Sequence, residues 1–276
     1  MHLWYHITLI NPPDNIKKFM KERVQKIIAR SGIASRREAE KFIREGLVTI
    51  NGSVATLGAK ANPFSDAVKV RNKLITKLEH PVYIMFYKPR GCLTTMHDPE
   101  GRPTIKEFLR QVKHRVFPIG RLDYNTEGLL LLTNDGDFSN YLMHPKNNIP
   151  RTYTAKLTGV LDDETIEKLK SGVKLQDGFA FVSRIIKKRK LKSNSWIEIT
   201  VNEGRNRLVR RMMQKVGHTV KTLKRISIGN LNLGTMVAGQ IRYLTQDEVR
   251  ELLTYKHGEP KKGQMQKAAR KTTGKK

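Results

Sequence analysis

The sequence predicts a protein of the α/β (α+β) class, with one larger domain and a smaller one ahead of it. Three observations carry that expectation. The chain has 276 residues, enough for one domain with its own hydrophobic core and a second, lesser one. Short β-rich apolar runs closed by Gly, Pro or Asn alternate with stretches of helical spacing. A charged stretch at 69–80, ending in Pro81, separates two such sets.

The elements follow in chain order. Residues 1–19 lack the basic start, apolar stretch and cleavage site of a secretory signal, and Asn11-Pro-Pro-Asp14 breaks the chain; they read as a poorly ordered extension. Within 20–68, Val24, Ile27 and Ile28 follow the spacing of an amphipathic helix that Ser31-Gly32 ends. Ser35-Arg-Arg-Glu38 has capping-box spacing, Ala39, Phe42 and Ile43 give a buried face, and Gly46 sits at the helix stop. Leu47–Ile50 and Val54–Leu57 read as strands joined by a type I′ turn at Asn51-Gly52. Residues 69–80 read as a flexible linker and 81–256 as the larger domain. There Val82–Tyr87 is a strand closed by Lys88-Pro-Arg-Gly91, and Thr104–Val112 a short amphipathic helix. Leu129–Thr133 is a buried strand with Asn134-Asp-Gly-Asp137 as its exit turn. Residues 257–276 read as a disordered basic tail.

Charge narrows the partner. The chain carries 53 Lys+Arg against 25 Asp+Glu, a net +28, which points to a polyanion and by default to nucleic acid. The tail holds seven Lys/Arg and one Glu, so without it the chain stays strongly basic. From Arg205 to Arg225 there are eight Lys/Arg and no acid: Arg205, Arg207, Arg210, Arg211, Lys215, Lys221, Lys224 and Arg225. Ordinary surface intersperses the two signs, so most of these are expected to meet phosphate. No apolar run approaches the ~18–20 residues of a membrane span. The lone Cys92 excludes a disulfide framework and suits a reducing, cytoplasmic setting. The chain shows no P-loop, dinucleotide fingerprint or metal-ligand spacing, so no metal or nucleotide site is marked in it.

Two groups of residues invite chemistry. Arg36 and Arg37 open the second helix, with Lys41 and Arg44 further along it; guanidinium groups beside a helix N-terminus can grip phosphates, although a solvated face accounts for them too. Asp123 lies in a polar loop before the buried strand, flanked by Arg121, Asn125 and Thr126. It suits a base or a nucleophile, or else an Asp that makes an Asx turn.

Ala34 to Gly52 closely resembles the S-four-type RNA-binding domain, with helix, cap, glycine stop, strand and turn in order. Gly120-Arg-Leu-Asp-Tyr-Asn-Thr-Glu-Gly-Leu-Leu130 is similar to the catalytic motif of the RsuA/RluB-type ribosomal RNA pseudouridine synthases. Arg151-Thr-Tyr-Thr-Ala155 resembles that family's second motif and Glu203-Gly-Arg-Asn-Arg-Leu-Val-Arg-Arg-Met212 its third. The resemblance implies a catalytic domain on a mostly antiparallel sheet with flanking helices, and isomerisation of uridine to pseudouridine without a cofactor. Asp123 would be the catalytic carboxylate, Arg210 its cationic partner and Tyr153 the ring that stacks on the uracil. Arg121 would fill the gap left by a flipped uridine or hold its phosphate, or else make a salt bridge that fixes the loop. The partner implied is ribosomal RNA or an assembly intermediate, met by a monomer. Asp98-Pro-Glu-Gly-Arg102 and the basic tail lean toward the large-subunit branch over the small-subunit one. A non-catalytic assembly factor on the same fold is the rival reading; a carboxylate facing RNA argues against it.

Overall fold

A computed structural model describes residues 21–190 and 193–255. The proposed extension at 1–19 and tail at 257–276 lie outside the described residues. The amino-terminal module runs β1 (Glu22–Arg23), α1 (Val24–Arg30), α2 (Arg36–Arg44), β2 (Val48–Ile50), β3 (Ser53–Val54), β4 (Lys60–Ala61), β5 (Val68–Val70) and β6 (Lys73–Leu74). Both halves of the capping box form on α2: Ser35 accepts from the Glu38 N–H, and the Glu38 carboxylate accepts from the Ser35 N–H. Asn51 and Gly52 both take positive φ, as a type I′ turn requires.

The stretch expected as a flexible linker is mostly part of this module. β5 pairs with β2 and β6 with β5. Ile75 and Leu78 pack on the core formed by Val24, Ile27, Ile28, Phe42 and Val48, and the Glu79 N–H donates to the Arg30 carbonyl at 2.8 Å. The charges at 69, 71 and 73 masked two very short strands. The module is then tied to the larger domain by Lys26, whose ammonium meets both oxygens of Asp137 at 3.0 and 2.9 Å.

The larger domain contains β7 (Tyr83–Lys88), a 3-10 turn at Ile105–Leu109, β8 (Phe117–Ile119), β9 (Thr126–Thr133), α3 (Gly136–Met143), β10 (Arg151–Thr158) and α4 (Asp163–Ser171). It continues with β11 (Val173–Leu175), β12 (Gly178–Ala180), β13 (Arg184–Lys190), β14 (Asn194–Val201), α5 (Leu208–Lys215), β15 (Val220–Ile228), β16 (Leu231–Asn232), β17 (Ile241–Tyr243) and α6 (Gln246–Leu253). The main sheet has the order β13-β14-β10-β15-β9-β7-β17, with β16 on β15 and β8 on β9. Every pairing in it is antiparallel except β9 with β15. One face carries two clusters, Ala155, Ile197 and Ile199 beneath α5, and Ile84, Phe86, Leu122 and Leu130, with Tyr153 packed against both. The other face packs Met85, Tyr87, Leu129 and Leu131 on α3 and α6.

Candidate active site at the parallel strand pair

The parallel pair of the main sheet, β9 with β15, decides where the site lies. Parallel strands begin at the same end, so the Asp123 loop that precedes β9 and the turn that precedes β15 are neighbours. Register sets Thr126, Glu127 and Gly128 beside Leu223, Lys224 and Arg225. Gly128 is the residue that permits this approach. It has φ +109°, and a Cβ there would stand 2.2 Å from the Arg225 carbonyl oxygen.

Arg210, on α5, clamps the two strand heads. It donates from Nη1 to the Val220 carbonyl at 2.9 Å and from Nη2 to the Asn125 carbonyl at 3.4 Å and Thr126 Oγ1 at 3.3 Å. Its Nε lies 3.7 Å from Asp123 Oδ2, and Arg207 Nη1 lies 3.5 Å from the same oxygen. Both are ion-pair rather than hydrogen-bond distances. The Nε–H of Arg210 is buried and has no hydrogen-bond partner among the described residues, which leaves a donor to spare beside the carboxylate. Burial holds the Arg210 guanidinium below its ordinary pKa, Arg207 adds to that, and Asp123 opposes it. The Asp123 side chain remains 25% exposed, accessible from outside.

Lys88 supports the loop from below. It is fully buried, and its ammonium donates to the carbonyls of Pro89 at 2.9 Å, Asp123 at 3.2 Å and Thr126 at 3.0 Å. Burial lowers its pKa, against the pull of Cys92 and Asp123. The Thr126 N–H closes the turn onto the Asp123 carbonyl at 3.0 Å. That turn is closed by backbone groups and not by the Asp123 carboxylate. Tyr153, half-buried on β10, sits opposite Arg225 beside an irregularity in the β10–β15 register, a device that re-aims side chains near functional sites.

The expected RNA contacts divide. Arg36, Arg37 and Arg44 are exposed on α2 and make no ion pair among the described residues; Lys41 lies 3.7 Å from Glu45. Arg121 is exposed and likewise uncommitted. Five others of the ten have partners within the chain. Arg225 is 3% exposed and donates from Nε to the Leu129 carbonyl at 2.7 Å, so it is internal. Lys224, next along the strand, points to the opposite sheet face, where its ammonium sits 4.6 Å above the Tyr87 ring. Arg205 spends its guanidinium on Asp177, Gly178, Phe179 and Glu203, and Arg211 pairs with both oxygens of Asp177 at 2.8 and 2.9 Å. Arg207 is 54% exposed and serves the carboxylate. The sequence reading missed Lys88 as a support and Arg207 as a second partner of Asp123. The Lys-Pro break after a β-rich strand was the signal for the first; nothing local marked the second.

A half-buried carboxylate held by arginines at the head of a basic strand pair, joined to a small basic helix module, fits an enzyme that works on RNA. Comparison with known proteins agrees. A family model for RNA pseudouridylate synthases matches residues 82–215, and one for the S4 domain matches residues 22–66. The chain is 47% identical over 234 residues to the ribosomal large subunit pseudouridine synthase B of Bacillus subtilis (strain 168), covering 84% of this chain and 95% of that one. It is 45% identical over 235 residues to an uncharacterised RNA pseudouridine synthase of Aquifex aeolicus (strain VF5), covering 84% and 94%. A crystal structure of a pseudouridylate synthase superposes with a TM-score of 0.59 at 30% identity, over 83% of this chain and 99% of that one. The chain belongs to the RNA pseudouridine synthase family and carries an S4 domain at its amino end.

Proposed function

We propose that this enzyme isomerises a specific uridine of large-subunit ribosomal RNA to pseudouridine, with Asp123 as the catalytic carboxylate. The C1′–N1 bond breaks, the uracil turns, and C1′ bonds to C5; N1 takes a proton and C5 releases one. Nothing is oxidised, so the reaction calls for no cofactor. Asp123 opens the sequence as a nucleophile at C1′ or as a base on the ribose. Arg207 and Arg210 offset its charge, and Tyr153 stacks on the uracil with its phenol near C5. Arg121 fills the space that the extruded uridine leaves, and Arg36, Arg37, Lys41 and Arg44 hold backbone phosphates.

The observation that carries this reading is the placement of Asp123 between two arginines, one of which ties together the strands that frame it. The large-subunit assignment draws on the name of the Bacillus relative. The enzyme would work as a monomer in the cytoplasm, on ribosomal RNA or an assembly intermediate. Transcripts of both ribosomal RNAs made with 5-tritiated uridine test the substrate. Tritium released to water from the large-subunit transcript alone is expected, because C5 becomes the glycosidic carbon. Release from the small-subunit transcript instead would overturn the assignment.

A further inference from the structure

The hairpin β11–β12 presents two phenyl rings to solvent. Phe179 is 59% and Phe181 53% exposed, with ring centroids 6.4 Å apart and planes 27° from parallel. Apolar side chains of this size are normally covered. Nothing in the chain's own chemistry uses this pair. Gly172, at φ +111°, ends α4 with no side chain, and a Cβ there would stand 2.5 Å from the Phe181 ring; the ring is seated on bare backbone. Phe179 lies beyond it, i+2 on the same side of the strand.

The hairpin is fixed to the loop that carries Arg207. Arg205 Nη2 donates to the Phe179 carbonyl at 2.6 Å, and the chain reaches Arg207, which meets Asp123, two residues later. The surroundings carry a cationic excess: exposed Lys174 stands directly across the hairpin from Phe179, and the two acids nearby, Asp177 and Glu203, are taken up by Arg205 and Arg211. Exposed aromatic faces within a positive field suit an unstacked base with its phosphate nearby, whereas an apolar protein partner gains nothing from that field.

We propose that Phe179 and Phe181 form a stacking platform for an unpaired nucleotide of the RNA that flanks the target uridine. Extrusion of one base strands its neighbours, and the platform takes up one of them without reading its identity. The inference rests on the assignment of RNA as substrate.

The test is steady-state tritium release on the large-subunit transcript, with Kd measured by filter binding, for wild type, Phe179→Ala, Phe179→Leu and Phe179→Trp. Wild-type release establishes the reaction, so its absence indicts the functional reading rather than the platform. With release present, Phe179→Ala is expected to raise KM and Kd by about 5- to 100-fold while kcat stays within about threefold, the range for loss of one stacked base. Phe179→Leu should behave like the alanine variant, because it keeps apolar area without a π-face, and Phe179→Trp should restore binding. Unchanged KM in Phe179→Ala, or full function in Phe179→Leu, would overturn the proposal. So would a defect confined to ribosomal particles with naked transcript unaffected, which would assign the patch to a protein partner.

Discussion

Replacing Gly128 with alanine probes the strand pair on which the site is built. The added methyl carbon would stand 2.2, 2.7 and 2.9 Å from the O, N and C atoms of Arg225, all backbone, at φ +109°. No flexible side chain end can yield, so β15 must move away from β9. The unfavourable backbone region costs about 1–3 kcal/mol. Forcing extra volume into a packed contact costs about 1–3 kcal/mol more. Together these amount to roughly 2–6 kcal/mol, and at about 2–4 °C per kcal/mol for a domain of this size the melting temperature should fall by about 5–20 °C. Because Arg210 and the Asp123 turn hang on the same strand heads, kcat should drop about 100-fold, as a displacement near 1 Å does. Gly136→Ala is the control. Gly136 opens α3 and nothing lies within 4 Å of a Cβ there, so that variant should match or exceed wild type, by up to about 1 kcal/mol. Thermal melts by circular dichroism and tritium release read both effects. A Gly128→Ala protein that melts with the wild type would refute the close-approach argument.

Lys88→Met should cost about 2–4 kcal/mol in denaturant unfolding, because three carbonyls lose a buried donor while the burden of a buried charge is lifted. It should also lower kcat more than it raises KM, as the turn carrying Asp123 loosens. The guanidinium of Arg102, hydrogen-bonded to Asp98, pulls that carboxyl down from 3.8 to about 2. A lowered folded-state pKa stabilises above the unfolded value, so this contribution is full above pH about 4 and disappears as the pH falls through about 2. Carbon-13 NMR titration of the Asp98 carboxyl should give that midpoint, and Arg102→Ala should return it toward its ordinary range; a wild-type midpoint near 4 would contradict the pairing.

Much of the frame was legible because it rests on local signals. The capping box at Ser35 and Glu38, the Asn51-Gly52 turn and the buried run at Leu129–Thr133 each depend on a few adjacent residues, and each forms as read. The exit turn at Asn134–Asp137 proved to be a helix start, since Asp135 accepts from the N–H groups of Asp137 and Phe138 and caps α3. β5 and β6 escaped notice because strands of three and two residues have no periodicity to detect. The site divided along a different line. The motif located Asp123, and the third motif located Arg210. Charge counting could not tell Arg207, which reaches Asp123, from Lys224 and Arg225, which face opposite sides of one strand and end in a ring face and a carbonyl. Side-chain direction comes from pairing register, which only the assembled sheet supplies.

The claim that Asp123 performs the chemistry is tested most directly by Asp123→Asn, which keeps size and shape but removes the charge. The measurement is single-turnover tritium release from saturating large-subunit transcript, with filter binding as a check on RNA affinity. The account predicts Kd near that of the wild type and no release above background, since neither nucleophile nor base remains. Release at a rate within tenfold of wild type would show that another group carries the reaction.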